Sequence, residues 1–325
     1  MERVSDETQR ERECYLPHKA VIRETAQSTK MRIVFDASAN ANQGGPPLND
    51  CLETGPPLQN LLWSVLVRNR LKPVALCGDI KQAFLQVRIQ GADRDALQFH
   101  WIRDKNSSQV ETLRFTRALF GLVQSPFLLA GTLKQHLEGL RTEYPKHVEE
   151  IMRSLYVDDI ITGEDTVDQV HDLKGTAIGV FKQAGFELHK WNSNVPELEA
   201  DHQLTEDSQT YAKEQLQVKT NEAKLLGLPW DKVEDTLAVT FSGDSHAATK
   251  RDVLRSLASI YDPLGVASLV ILVGKMVFRE ACDRHLPCDA VLPKELKAWQ
   301  WEKFKGNWPG ELKFPRSLTI AQEPV

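Results

Sequence analysis

The sequence predicts an α+β protein in which helices cover an antiparallel sheet. Two observations and one general packing rule support this prediction. Short apolar runs of strand length alternate along the chain with stretches whose apolar residues fall at helical spacing. Several strand-like runs are separated by a few turn residues, which is typical of hairpins and therefore of antiparallel pairing. A sheet of this kind leaves an apolar face that packed helices bury.

The first eighty residues alternate strand-like runs with loops rich in glycine and proline. Residues 1–13 are charged and lack apolar periodicity, so we expect a frayed end or the remnant of a precursor. A helix is predicted next to the first long strand because its leucines fall at helical spacing. The predicted elements are, in order, strands over 20–22 and 32–35, loops at 42–47 and 55–57, a helix over 58–70 and a strand over 73–79.

The rest of the chain continues the alternation. A hairpin is predicted because two apolar runs flank five polar residues, and proline favours the first turn of the helix that follows it. A later helix should end at Gly185, since glycine readily adopts the conformation that terminates a helix. The predicted elements are a hairpin of 96–102 with 110–118, a helix from Pro126, a hairpin around 155–163, a helix over 167–184, an acidic connection over 195–221 and a helical segment over 249–284 broken at Asp262-Pro263.

Composition limits the class of protein. A chain of 325 residues with 41% hydrophobic residues is large enough for two or more subdomains. The net charge of −5 does not indicate nucleic-acid binding, but charge is segregated. Residues 62–150 carry 13 Lys and Arg against 9 Asp and Glu, whereas residues 197–245 carry 4 against 11. A nucleic-acid enzyme needs a local basic track and not a basic total.

Cysteine usage indicates a reducing compartment, so we expect a cytoplasmic protein. The five cysteines are odd in number and scattered. Cys282, His285 and Cys288 form a short cluster, but a zinc site needs a fourth ligand, which the sequence does not offer nearby. The longest mostly apolar run, residues 266–273, is too short to cross a bilayer, so we expect no membrane association.

Two acid-bearing strands mark the candidate site. Apolar residues of the 155–163 hairpin surround Asp158 and Asp159, which we place at its tip, and the strand over 73–79 ends on Asp79. An Asp-Asp pair alone is more often an ordinary acidic turn. Acids in so apolar a setting are costly unless a cation is present. Two strands that present carboxylates side by side would form an oxygen site suited to two Mg²⁺ ions.

Further motifs accompany these acids in a fixed order. They are Leu16–Arg23, Arg32–Ser38, Leu48–Asp50, Asp79–Gln86, Phe120–Gly121 with Ser125–Pro126, Tyr156–Asp159, Gly185–Asn194, Leu226–Trp230 and Tyr261–Gly265. Through these motifs the chain resembles a reverse transcriptase, and more narrowly the polymerase region of BEL/Pao-type LTR retrotransposons.

The resemblance implies a polymerase right hand with fingers, a palm whose antiparallel sheet is covered by helices, and a partial thumb. Its implied boundaries are fingers at 14–72, palm at 73–230, and connection with partial thumb at 231–325. A fingers insertion around 91–125 and the variable acidic connection of 195–221 lie within the palm.

The resemblance also implies the catalytic residues. Asp79 and Asp158 would be the principal ligands of two Mg²⁺ ions, or of Mn²⁺ as a substitute, and Asp159 the third acid. One ion would lower the pKa of the primer 3′-hydroxyl, and the other would hold the triphosphate and stabilise the departing pyrophosphate.

Four other residues would contact the nucleotide. Arg32 would bind the triphosphate, although an exposed strand arginine paired with Asp36 is the alternative. Phe84 would lie under the sugar and exclude a 2′-hydroxyl, although a plain core phenylalanine is nearly as good an interpretation. Gly121 would allow the nucleotide to approach the backbone closely. Lys190 would protonate the departing pyrophosphate, although an ordinary surface lysine is the alternative.

The remaining contacts concern the primer and the phosphates. Leu226, Gly227 and Leu228 resemble the hairpin that holds the primer end, with the backbone near Gly227 as the contact. Lys19, Arg23 and Lys30 are additional phosphate-binding candidates between which spacing does not decide. Many retroviral polymerases have Gln where this chain has Phe120, which leaves a side-chain contact from Phe120 open.

The residues of the chain bear on four possible functions. The first is an RNA-directed DNA polymerase that uses dNTPs and a primed RNA or DNA template; the second is a catalytically decayed or domesticated fragment that only binds nucleic acid. An aspartic peptidase is excluded within this chain because Asp-Thr-Gly and Asp-Ser-Gly are absent. An RNA-dependent RNA polymerase would be favoured by a small residue in place of Phe84. We expect a piece of a longer polyprotein, with ribonuclease H, integrase and protease domains elsewhere. The oligomeric state is not predicted.

Overall fold

The computed structural model describes residues 1–4, 13–22, 31–40, 44–103, 109–199, 222–241, 249–296, 306 and 308–319. The strands are β1 (Glu2–Arg3), β2 (His18–Ile22), β3 (Met31–Phe35), β4 (Val74–Ile80), β5 (Gln98–Ile102), β6 (Val110–Arg114), β7 (Leu155–Tyr156), β8 (Asp159–Glu164), β9 (Leu188–Ser193), β10 (Glu222–Leu225), β11 (Leu228–Asp231), β12 (Thr236–Thr240) and β13 (Glu311–Pro315). The helices are α1 (Leu48–Cys51), α2 (Leu62–Arg70), α3 (Ala83–Gln86), α4 (Ser125–Gly139), α5 (Pro145–Ser154), α6 (Val167–Gln183), α7 (Lys250–Ala258) and α8 (Ser268–Asp283). Short 3₁₀ turns cover Gly91–Leu97 and Pro196–Glu199.

A four-stranded antiparallel sheet in the order β7-β8-β4-β9 forms the centre of the molecule. One face packs against α4, α5 and α6 through residues such as Leu76, Leu133 and Val170. The other face, which carries Ala75 and Ile161, is covered by α2 and by the second sheet. This double coverage explains why β4 is a nearly continuous apolar run, since its side chains are buried on both sides.

Smaller sheets flank this centre. β2 and β3 form a hairpin, and β5 and β6 pair with β1 at their edge. The expectation that residues 1–13 are frayed is therefore wrong for Glu2–Arg3, because Glu2 forms ion pairs with Arg94 and Arg114 that hold this short strand. Residues 5–12 and the predicted turn at 104–108 lie outside the described residues.

The helix predicted over 58–70 begins only at Leu62. Asn60 explains the difference, since its side-chain amide donates to the carbonyls of Met152 (2.7 Å) and Leu155 (2.8 Å) and holds the preceding segment extended. The helix predicted over 167–184 is confirmed as α6, which begins at a Thr166 capping box and ends before Gly185, whose φ is 78°. Helix α5 was not predicted.

A second antiparallel sheet, in the order β10-β11-β12-β13, packs with α7 and α8. It continues across the boundary predicted at residue 230, so the hairpin of β10 and β11 shares a sheet with later strands. The helical segment predicted over 249–284 is confirmed as α7 and α8, with a break at 259–267. Among the described helices, none has the length and apolar character needed to span a membrane.

Candidate active site

The pairing of β4 with β8 brings the three acids together. Asp79 lies opposite Asp159 in the register, and the Ile80 amide donates to the Asp158 carbonyl at 2.8 Å. The prediction that both adjacent acids lie at the hairpin tip is wrong for one of them. Tyr156 pairs with Asp159, so the turn consists of Val157, whose φ is 56°, and Asp158. A two-residue turn leaves room for only one of the two acids at its tip.

Nearby positive charge compensates Asp158 and Asp159 only in part. Burial raises the pKa of Asp158, and the charge of Asp79 raises it further. Burial, followed by the charges of Asp158 and Asp79, raises the pKa of Asp159 to about 7. Lys190 opposes both shifts but does not cancel them. Carboxylates that resist ionisation because they lie close together and half-buried are stabilised when a cation joins them.

Two side chains of β9 reach Asp79. The His189 imidazole Nε2 lies 3.1 Å from its Oδ2, and the Lys190 ammonium donates to the same oxygen at 2.9 Å. The register between β4 and β9 shifts between Cys77 and Asp79, and Lys190 has a φ of 53°. This irregularity lets two consecutive residues approach one carboxylate, where a regular strand would point them to opposite faces. Sequence reasoning missed His189.

An open pocket of about 310 Å³ lies at the acids. Its walls include Asp79, Asp158, Asp159 and Lys190, and Lys224 to Leu226 close the other side. Arg32, Phe84 and Gly121 are not among the lining residues. The pocket therefore unites the predicted acids with Lys190 and the start of the predicted primer-holding turn.

The donor set suits a hard divalent cation, because carboxylate oxygens are the ligands that Mg²⁺ prefers. Within the described residues, however, no three His, Cys, Asp or Glu side chains are already arranged as a group that could hold a metal ion. This applies to the three acids, one of which is instead bonded to His189 and Lys190, and to Cys282, His285 and Cys288. His189 and Lys190 both contact Oδ2 of Asp79, so a cation bound through that oxygen would compete with them.

The turn between β10 and β11 consists of Leu226 and Gly227. Leu225 pairs with Leu228, and the two turn residues have φ values of 45° and 92°. Two consecutive positive φ values are typical of the tight hairpin turn that matches the twist of its strands. Leu225 and Leu228 are buried, so the turn is anchored in the core at both ends.

The predicted nucleotide contacts on the fingers are only partly placed by the structure. Arg32 is exposed on β3 and, within the described residues, forms no ion pair. The alternative pairing of Arg32 with Asp36 is not formed, and the Asp36 carboxylate instead accepts from the Ser38 amide at 3.0 Å. Lys19 is exposed on β2, whereas Arg23 and Lys30 lie outside the described residues.

Phe84 is buried beneath an exposed aromatic ring. It is 5% exposed, and Phe120, at 58%, packs edge-on against it with ring centroids 4.6 Å apart. Gly121 follows with a φ of 92°, and its carbonyl accepts from the Asn49 amide at 2.9 Å. Asn49 also accepts from the Val123 amide, so one side chain fixes both sides of this loop. Sequence reasoning assigned no role to Asn49.

Comparisons with known proteins agree with this geometry. Residues 22–227 match the family model described as reverse transcriptase (RNA-dependent DNA polymerase). Residues 249–324 match the model described as Pao retrotransposon-like RNaseH-like domain, and their described part forms α7, α8 and β13. No curated protein matches the chain.

A solved structure is also similar to the chain. It is the foamy viral protease-reverse transcriptase in complex with RNA/DNA hybrid, with a TM-score of 0.51 and 15% identity. The match covers 92% of this chain and 34% of the foamy viral chain, so this chain spans about a third of that protein. The likeness confirms the predicted right-hand polymerase fold.

Proposed function

Because the chain belongs to the reverse transcriptase family, as the match over more than half of its length shows, we propose that it adds dNTPs to a primer 3′-hydroxyl with two divalent metal ions at Asp79, Asp158 and Asp159. The two matched family models together identify it as the reverse transcriptase region of a Pao/BEL-type retrotransposon, as predicted. The observation that carries the proposal is the strand register that sets Asp79 beside Asp159 in a pocket facing the Leu226 turn.

The chain's own residues prepare the site. The acids would hold two Mg²⁺ ions, which when bound supply a more acidic primer hydroxyl and charge stabilisation for the triphosphate. His189 and Lys190 stabilise the Asp79 carboxylate before a cation arrives. Because the Lys190 side chain is exposed at the pocket rim, its ammonium would also be able to donate to phosphate oxygens of a bound nucleotide.

Substrates and surroundings follow from the same proposal. The template is RNA or DNA with an annealed primer, Arg32 binds the triphosphate, and the turn of Leu226 and Gly227, flanked by Leu228, holds the primer end. Family members use divalent ions in general; we propose Mg²⁺, with Mn²⁺ as a substitute. We also propose a cytoplasmic location and a parent polyprotein that carries integrase and protease domains, together with a ribonuclease H domain that includes or adjoins the RNaseH-like match at residues 249–324.

The test is single-nucleotide primer extension by Asp79→Asn and Asp158→Asn. Each change removes one ligand charge, and losing about 4 kcal/mol of transition-state stabilisation slows the reaction roughly a thousandfold. Asp172→Asn is the matched control, because Asp172 on α6 is an exposed acid paired with His147 of α5. Near-normal extension by either active-site variant would refute the assignment. Wild-type protein that binds template–primer without extending it in Mg²⁺ or Mn²⁺ would favour the alternative of a fragment that only binds nucleic acid.

A further inference from the structure

A tyrosine outside the palm holds the turn that faces the acids. Tyr261 lies in the segment between α7 and α8, and its hydroxyl donates to the Leu226 carbonyl at 2.7 Å. Burial, followed by the proximity of Tyr156, raises the pKa of the Tyr261 hydroxyl, so this group keeps its proton and remains a donor. The bond joins residues 35 positions apart and fixes the backbone at the tip of the turn.

The tyrosine ring and the neighbouring glycine fit together. A Cβ on Gly227 would lie 2.9 Å from Cε1 of Tyr261, closer than such atoms approach in real proteins. Gly227 is therefore required for two reasons, its φ of 92° and the ring that occupies the space of a side chain. Leu226, a bulky residue with a φ of 45°, adopts a conformation that is unfavourable for it, so the turn needs an external contact to hold it.

The residue after Tyr261 ties the tyrosine backbone to the start of α8. The Asp262 carboxylate accepts from the amides of Val266 (3.0 Å) and Ala267 (2.9 Å), immediately before α8 begins. The backbone of Tyr261 is consequently fixed relative to that helix. A displacement of α8 would be transmitted through two adjacent residues to the turn at the pocket wall.

We propose that Tyr261 is a positioning residue that sets the turn of Leu226 and Gly227 against the primer 3′ end and couples its position to α8. This inference rests on the proposed polymerase function. Tyr261 touches neither the acids nor the nucleotide in this proposal; it acts through the Leu226 carbonyl. The expected consequence of losing the hydroxyl is a poorly placed primer terminus with nucleotide and template binding retained.

Tyr261→Phe tests the proposal, because it keeps the ring over Gly227 and removes only the donor. We expect kcat for single-nucleotide addition to fall about fivefold, the rate equivalent of one neutral hydrogen bond. KM for dNTP and Kd for template–primer should change less than about twofold, since neither ligand contacts Tyr261. Tyr144→Phe is the matched control, because its hydroxyl bonds Glu143 beside α5, remote from the turn.

A second measurement does not depend on catalysis. Template–primer should slow the hydrogen exchange of the peptide covering residues 225–228 in the wild type. The slowing should be clearly smaller in Tyr261→Phe. Equal exchange of the turn in both proteins, or a kcat within about twofold of wild type, would overturn the inference. If the wild type fails to extend primers at all, the proposed polymerase function fails, and the exchange comparison alone then decides whether Tyr261 positions the turn.

Discussion

Replacement of Arg316 by methionine should lower the free energy of unfolding of the part of the molecule that contains the second sheet. Arg316 follows β13 and is fully buried, although it carries a charge. Its guanidinium donates twice to the Asp235 carboxylate, at 2.6 and 2.7 Å, and to the backbone carbonyls of Asn69, Lys72 and Pro73. The substitution removes this donor from all of these acceptors, of which the Pro73 carbonyl and the Asp235 carboxylate keep other donors, and preserves most of the side-chain volume.

The expected cost follows from these contacts. Removing one partner of a buried ion pair costs about 3–5 kcal/mol, because the remaining charge loses its compensation. The Asp235 side chain is 24% exposed and also accepts from Trp230, so it regains some solvation. We therefore expect the lower end of that range, about 3 kcal/mol in the free energy of unfolding.

Urea unfolding followed by tryptophan fluorescence provides the assay. Arg255→Met is the matched control, since that arginine is 68% exposed and its pair with Asp252 should contribute less than about 0.5 kcal/mol. In an Asp235→Asn background the cost of Arg316→Met should shrink, because the charge that it leaves behind is already gone. A loss below about 1 kcal/mol, or an equal loss in both backgrounds, would refute the reasoning.

Three further outcomes are expected. Arg32→Ala should raise KM for dNTP far more than Kd for template–primer, and an equal loss of both would indicate a general backbone contact instead. Phe84→Val should cost about 1–2 kcal/mol of stability and raise the ratio of rNTP to dNTP incorporation, whereas an unchanged ratio in folded, active protein would leave Phe84 as a core residue only. In metal-free protein, the pKa of Asp159 is about 7 in the folded state and 3.8, its ordinary value, in the unfolded state. Ionisation of Asp159 therefore costs the folded state stability, and this cost grows from pH 4 to pH 7 and is complete above pH 7. Asp159→Asn should therefore raise the Tm in EDTA at pH 8 and hardly change it at pH 4; an equal rise at both would contradict this.

The sequence was sufficient to predict which acids meet. Asp79 ends an apolar run, and Asp158 and Asp159 interrupt another, so two buried strands that carry acids predict a shared edge. It was not sufficient to separate the two adjacent acids. That distinction depends on the pairing of Tyr156 with Asp159, which places one acid in the turn and the other in the ladder.

Contacts that depend on register or on distant segments were missed for a physical reason. His189 reaches Asp79 only because β9 shifts its register beside β4, and local spacing carries no signal of such a shift. Asn49 and Tyr261 lie within the motifs of the resemblance, but the partners described above are backbone amide and carbonyl groups, which side-chain identity does not reveal. Arg316 lies where the sequence offered only the end of a partial thumb.

The long span between Arg316 and its acceptors has a consequence for synthesis. Arg316 donates to the carbonyl of Asn69, 247 residues earlier. At about 5–20 residues per second, a ribosome needs about 12–50 s to deliver the later residue. The four strands of the central sheet are complete once Ser193 has emerged, so the acids can assemble well before β13 arrives. Until then the edge of β12 that pairs with β13 stays unpaired, and the nascent chain holds its acid site and the facing turn without the contacts of Arg316.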